Sequence, residues 1–251
     1  MRSLVIIPTY NERENLAQLA AAALQAAPVD LLIVDDNSPD GTGHLADCLA
    51  RESGGRVSVL HRPGKQGLGT AYLTGFRWGL ERDYQFLLEM DCDFSHDPAD
   101  LPRLLAAAAD ADVVLGSRYV PGGATPDWPW PRRVLSRGGS LYARQILGLG
   151  YRDLTGGFKC FRRRALELLD LESIRANGYA FQIEMTWRCH LAGLRIVEIP
   201  IVFHDRRVGQ SKMSRQIVWE AIGTVWRMRR LRPAGDGANR DTTRGSGRQA
   251  A

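Results

Sequence analysis

The chain of 251 residues holds only four cysteines, Cys48, Cys92, Cys160 and Cys189, and no two of them form a C-x-x-C. That scatter indicates neither a disulfide framework nor a zinc site, and it fits a reducing compartment. Long hydrophobic runs are also missing. No stretch approaches the roughly 18 apolar residues of a membrane span. The first apolar run, Leu4–Ile7, is stopped by Pro8, short of the about 7–15 apolar residues of a secretory signal. The expectation is a soluble or at most peripheral protein. Walker A, H-E-x-x-H and G-x-S-x-G motifs are absent as well. Gly67-Leu68-Gly69-Thr70-Ala71-Tyr72 opens like a dinucleotide fingerprint but lacks its third glycine, so with Lys65 it is read as nucleotide packing.

What is present is an ordinary apolar fraction, 44%, and a net charge of +5. The length fits one large domain or two small ones. The charge favours an anionic partner such as phosphate, acidic lipid or nucleic acid.

The first half alternates strand and helix signals. Strands are expected at Leu4–Ile7, Leu31–Val34, Val57–Leu60, Phe86–Met90 and Val113–Leu115. Helices are expected at Glu14–Ala26, Thr42–Arg51, Gly69–Arg82 and Pro98–Ala109. This alternation predicts an α/β fold with a mostly parallel sheet and helices on both faces. In the second half, Gly122–Pro131 reads as a loop and Arg132–Leu147 as a helix. Asp153–Phe161 and Ile196–Phe203 read as strands around a helix at Phe181–Leu191, and Met213–Arg230 is strongly helical. Residues 1–231 read as one domain, with a nucleotide-binding half over 1–120 and an acceptor-side half over 121–231. Residues 232–251 carry no large apolar residue and read as a disordered tail.

The apolar run Phe86–Met90 ends in Asp91-Cys92-Asp93. Carboxylates are rarely buried without partners. At the C-terminal end of a strand in an open α/β sheet, where ligands bind, such a pair suits a divalent cation set against nucleotide phosphates. Asp35-Asp36 falls at a second strand end. Glu12 alone fits a solvated charge in a first helical turn, and Asp35-Asp36 alone fits a turn with Asn37; both at adjacent strand ends favour a site.

Six motifs occur in order: Pro8–Glu12, Val34–Thr42, Met90–His96, Gly116–Tyr119, Thr155–Phe158 and Arg206–Lys212. Together they resemble the inverting, nucleotide-diphospho-sugar-dependent glycosyltransferases of the A-type, Rossmann-like fold in glycosyltransferase family 2. Within these, the resemblance is greatest to the dolichol- and polyprenol-phosphate mannose synthases, over roughly residues 4–226. The resemblance implies transfer of mannose from GDP-mannose to a polyprenyl monophosphate with inversion, using Mg²⁺ or Mn²⁺. It implies nucleotide binding by Pro8, Tyr10, Glu12, Val34, Asp36, Lys65, Asp91, Cys92 and Asp93. Metal binding falls to Asp91 and Asp93, with Ser95 where some relatives place a glutamine. Arg118, Arg132, Ser136 and Arg206 are the candidate lipid-phosphate grips, and Asp93, Arg118, Arg206 and Lys212 the candidate catalytic residues. Arginine offers phosphate a bidentate fork and lysine a compact charge. Cys92 replaces the alanine frequent in the family. His96 is read as structural or surface. Asp153 and Thr155–Phe158 are expected to shape the sugar and acceptor side, with Glu184 the runner-up there.

A lipid monophosphate has a second pKa of about 6, like phosphoserine, so the acceptor arrives anionic and requires no general base. In Gln216–Arg230 an apolar stripe ends in arginines. It suits either an interfacial helix on anionic lipid or a helix packed on the domain. Trp128 and Trp130 are further candidates for lipid contact. The expected location is the cytoplasmic face of the membrane, held peripherally, with room for a membrane-protein partner. Competing readings are a glucosyl- or other glycosyltransferase acting on a lipid phosphate, and a non-catalytic nucleotide- or nucleic-acid-binding module. Carboxylates beside the basic motifs argue against nucleic acid.

Overall fold

The computed structural model describes residues 1–176, 178–205 and 223–230. A seven-stranded sheet runs in the order β3-β2-β1-β4-β6-β5-β7. Its strands are β1 (Ser3–Thr9), β2 (Asp30–Asp35), β3 (Val57–His61), β4 (Phe86–Glu89), β5 (Val113–Ser117), β6 (Lys159–Arg162) and β7 (Ile196–Pro200). Only β6 is antiparallel to its neighbours; every other pairing is parallel. β1, β2, β4 and β5 are buried almost throughout, as expected of central strands covered on both faces.

One core layer packs α1 (Arg13–Ala26), α2 (Thr42–Glu52) and α4 (Leu101–Ala107) on the sheet through residues such as Leu16, Leu19, Ala46 and Leu104. The opposite layer uses α3 (Leu68–Leu80), α6 (Arg163–Glu167) and α7 (Gly178–Leu191) through Tyr72, Phe76, Ala165 and Phe181. A third cluster joins α5 (Trp130–Leu147), α7 and residues Val225 and Met228. Helix α3 approaches the sheet closely. A Cβ at Gly75 would stand 2.5 Å from Ile6, and one at Gly69 would stand 2.8 Å from the Ala176 carbonyl and 2.9 Å from Phe181. Of the two glycines of the incomplete fingerprint, Gly69 thus serves packing, whereas Gly67 turns through positive φ (102°) at the border of the site.

Several expected elements change. Asp153–Phe161 is not one strand. The Asp153 carboxylate accepts the Gly156 N–H at 3.1 Å and the Thr155 N–H at 3.3 Å, folding 153–158 into a turn, and only β6 follows. The helix expected from Pro98 opens as a 3₁₀ turn, Pro98–Asp100, capped by Asp97 accepting the Ala99 N–H. β7 stops at Pro200, which has no N–H to extend a ladder, and beyond it Val202 bridges Ala124. Of the helix expected over Met213–Arg230, residues 223–228 are helical; Met213–Ile222 and the tail 232–251 lie outside the described residues. Among the described residues, no helix is long and apolar enough to cross a membrane.

Candidate active site

The C-terminal ends of β1, β2, β4 and β5 share one edge of the sheet. Because β6 runs the other way, the loop that enters it, Asp153–Phe158, reaches the same edge. Just beyond β1, β2 and β4 the backbone turns through positive φ at Asn11 (60°), Asn37 (55°) and Phe94 (61°). Asparagine tolerates this conformation, whereas Phe94 is held there against its preference, as is common at functional sites.

A cleft of about 220 Å³ opens at this edge. Pro8, Tyr10, Glu12, Asp36, Lys65, Asp91, Cys92 and Asp93 all border it. Of the nine residues expected to bind nucleotide, only Val34 is absent from its lining: its side chain is fully buried in the core with Leu32, Leu4 and Ile6. Lys65 places its ammonium 4.5 Å from the centre of the Tyr10 ring.

The two aspartates at the end of β2 differ in role. Asp35 is absorbed by the loop: Oδ1 accepts Thr9 Oγ1 at 3.0 Å and Ser38 Oγ at 2.6 Å, and Oδ2 accepts the Ser38 N–H. Asp36 faces the cleft and is gripped by Arg62, whose Nε and Nη2 donate to Oδ1 and Oδ2 at 2.5 and 2.8 Å. Arg62, itself buried, also donates to Thr70 Oγ1 at 2.9 Å. Sequence reasoning missed Arg62. Its signal was a cation directly after the third strand, at the same edge as Asp36.

Asp91 Oδ1 accepts the Tyr72 hydroxyl at 2.9 Å. Burial and the neighbouring carboxylates push the Tyr72 phenol far above its ordinary pKa, so it remains a donor. The Asp91 N–H donates to His96 Nδ1 at 3.1 Å. His96 is fully buried, stacked on Phe158 at 4.8 Å, and burial lowers its pKa. It is a neutral structural residue, not a surface one. Asp93 Oδ1 accepts the Ser95 N–H at 3.0 Å. Ser95 does not line the cleft: its side chain is sealed in the interior, and Oγ has no hydrogen-bond partner among the described residues. Burial, followed by Glu12, Asp93 and Asp91, keeps the Cys92 thiol protonated.

No three His, Cys, Asp or Glu side chains among the described residues group into a metal site. Asp91 and Asp93 border one cleft as a two-carboxylate set of hard oxygens. That set suits an ion that takes one or two carboxylates and completes its shell with substrate phosphates and water.

Beneath the DxD, Glu89 on β4 stands directly across from Lys159 on β6. Both are fully buried. Burial raises Glu89 to about 8 and lowers Lys159 to about 8, each effect opposed by the charge of the other residue. Lys159 Nζ donates to the Gln182 carbonyl at 2.7 Å and to Thr186 Oγ1 at 3.0 Å. The Gln182 amide faces Glu89 and opposes the rise, yet neither side chain completes a hydrogen bond.

Past β5, Arg118 meets Asp153 in a buried ion pair, Nε and Nη2 each donating at 2.7 Å. Nη2 also reaches Thr155 Oγ1, and the guanidinium lies 5.2–5.4 Å from the rings of Tyr119, Trp128 and Phe203. Burial alone would raise the Asp153 pKa, but Arg118 overcomes it and holds the carboxyl low. Arg118, expected from the sequence as a phosphate grip, is thus already engaged. Its Nε and Nη2 are committed to Asp153, and only Nη1 makes no bond among the described residues. Arg132 pairs with Asp205 at 2.8 Å and lies 4.0 Å over Trp128. Ser136 Oγ accepts the Tyr119 hydroxyl at 2.6 Å. Trp128 is buried rather than available to lipid, whereas Trp130 is 74% exposed. Glu184 is neither solvated nor at the cleft: it is buried, paired with Arg188 at 2.6 Å and accepting the Ala176 N–H. Arg206 and Lys212 lie outside the described residues.

The chain is 53% identical over 226 residues to a polyprenol monophosphomannose synthase of Mycolicibacterium smegmatis, covering 89% of this chain and 85% of that protein. It is 53% identical over 228 residues to an undecaprenyl-phosphate mannosyltransferase of Micrococcus luteus, covering 90% and 93%. Among solved structures, glucosyl-3-phosphoglycerate synthase of Mycobacterium tuberculosis, in complex with Mn²⁺, UDP-glucose and phosphoglyceric acid, superposes with a TM-score of 0.68 at 17% identity, covering 93% of this chain and 82% of that one. It shares the fold. The model of glycosyl transferase family 2 matches residues 4–169, and with that match and these relatives the chain belongs to glycosyl transferase family 2.

Proposed function

We propose that this chain transfers mannose from GDP-mannose to a polyprenyl monophosphate, with inversion at the anomeric carbon and release of GDP. The two mannosyltransferase relatives support the sugar and the acceptor class. The observation that carries the nucleotide side is the convergence of eight of the expected nucleotide-binding residues, from three strand ends and the β3–α3 loop, on one cleft.

In this reading Pro8, Tyr10, Glu12 and Lys65 border the base and ribose. Asp36, fixed by Arg62, accepts from donor hydroxyls or the base edge with its remaining lone pairs. Asp91 and Asp93 hold a divalent ion, Mg²⁺ or Mn²⁺, which when bound supplies positive charge against the diphosphate. Tyr72 and His96 fix Asp91 from the side chain and from the backbone. The acceptor phosphate arrives anionic, so the protein's task is to hold two anionic groups together rather than to remove a proton. Arg132, Ser136 and Arg118 Nη1 serve that end, joined by Arg206 and Lys212. The enzyme works peripherally at the cytoplasmic face of the membrane, where a membrane-protein partner would assist its attachment.

The test is transfer of radiolabelled mannose from GDP-mannose into solvent-extractable lipid, with polyprenyl phosphate, with and without Mg²⁺ or Mn²⁺, and with UDP-glucose as the competing donor. Metal-dependent label that disappears in Asp93→Ala is the expected result. Label from UDP-glucose alone, or a product of retained configuration, would overturn the assignment.

A further inference from the structure

Helix α5 presents its apolar residues the wrong way round for a solvated helix. Its inner face packs Ser140, Ala143 and Leu147 into the protein. Its outer face carries Trp130, Val134 and Leu141, exposed by 74%, 61% and 51% and spaced i, i+4 and i+11, so that they fall on one stripe. Leu135 flanks them at 45%. Of the nine large apolar side chains exposed among the described residues, these four belong to one helix.

The charge on α5 is equally one-sided. It holds Arg132, Arg133, Arg137 and Arg144 and no acidic residue. Arg133 and Arg137 are exposed and adjoin the apolar stripe in the helical projection. Trp226, half exposed, and the exposed Arg227, Arg229 and Arg230 lie on the neighbouring segment, whose Val225 and Met228 pack in the same cluster as Ala143 and Leu147.

We propose that the outer face of α5 docks on the surface of an anionic bilayer. Tryptophan and aliphatic side chains flanked by arginine, without acid, form the pattern of a helix lying in a lipid interface. The arginines complement acidic headgroups. The proposal rests on the reading of the acceptor as a polyprenyl phosphate, and it gives that substrate a route. Arg132 and Ser136 sit on the inward side of α5, while Trp130, Val134 and Leu141, two to five residues from the nearer of them, face out. A lipid phosphate can thus enter beside the helix with its chain still in hydrocarbon.

The test uses the full chain and two sets of vesicles, phosphatidylcholine alone and phosphatidylcholine with phosphatidylglycerol. The variant Trp130→Ser/Val134→Ser/Leu141→Ser should lose about tenfold or more in vesicle affinity. Arg133→Gln/Arg137→Gln should remove most of the preference for phosphatidylglycerol. Both should retain the melting temperature, GDP-mannose binding, and transfer to a short, water-soluble prenyl phosphate. Equal vesicle binding by the serine variant overturns the proposal. So does a dimer in solution that this variant dissociates, because a second copy would then own the face. Loss of GDP-mannose binding or transfer already in the unaltered chain would instead strike the proposed function and leave the vesicle result standing by itself.

Discussion

Arg118 and Asp153 clamp each other through two parallel hydrogen bonds of 2.7 Å in a site from which water is almost wholly excluded. The same carboxylate takes the Arg118 and Gly156 N–H groups, so one side chain fixes both the end of β5 and the loop into β6. Asp153→Ala would strand a buried guanidinium and is expected to cost about 3–5 kcal/mol. Arg118→Met with Asp153→Leu should cost less than the sum of the single changes, because neither charge is then left alone. Denaturant midpoints of Asp153→Ala, of the single changes Arg118→Met and Asp153→Leu, and of the double variant decide this.

Arg62 holds Asp36 at the cleft in a comparable fork. Arg62→Met should raise the KM for the nucleotide sugar about tenfold, equivalent to roughly 1.4 kcal/mol. Arg62→Lys should rescue little, since an ammonium cannot reproduce the fork. Initial rates across donor concentrations separate a KM effect from a kcat effect.

The Glu89–Lys159 pair gives stability a specific pH profile. Glu89 titrates near 8 in the folded chain against an ordinary 4.5, so the folded state holds a proton that the unfolded state releases. Its contribution is full below 4.5 and is lost as pH rises to 8. Lys159 titrates near 8 against an ordinary 10.5. Its contribution is full above 10.5 and is lost as pH falls to 8. Together they place a local minimum of stability near pH 8. Glu89→Gln should flatten the acid-side slope and Lys159→Met the alkaline one, read from urea unfolding at a series of pH values.

Gly75 faces Ile6 with no room for a methyl group. Gly75→Ala should destabilise the fold by about 1–3 kcal/mol through overpacking, despite alanine's better helix propensity. Gly138→Ala, where nothing lies within 4 Å, should instead stabilise α5 by up to about 1 kcal/mol. Thermal unfolding of the two variants should move in opposite directions.

The strands of the first half and the carboxylates at their ends were legible because each signal is local. An apolar run stops, and an acid or a turn residue follows within two positions. What escaped depends on distance along the chain. Arg62 finds Asp36 from 26 residues away and Arg118 finds Asp153 from 35, and neither pairing leaves a periodicity. Glu89 was hidden differently. It reads as one polar residue in an apolar strand, and only the antiparallel β6 reveals the lysine across from it. The same carboxylate that turns 153–158 back on itself also shortened a strand that hydrophobicity alone extended to nine residues.

The order β4-β6-β5-β7 has a bearing on how the chain can be divided. The donor cleft is built from the first 93 residues, with the acceptor-side residues following, yet the two stretches are interleaved rather than laid side by side. A fragment ending at residue 120 would retain β5 but lose both of its neighbours, β6 and β7, leaving a strand that is buried along its whole length in the intact chain with unsatisfied edges. Such a fragment is not a smaller nucleotide-binding module but an aggregation-prone remnant. The donor and acceptor portions must therefore be inherited, exchanged or engineered as one indivisible unit, and variation in what the enzyme accepts has to come from side chains on this frame rather than from swapping its halves.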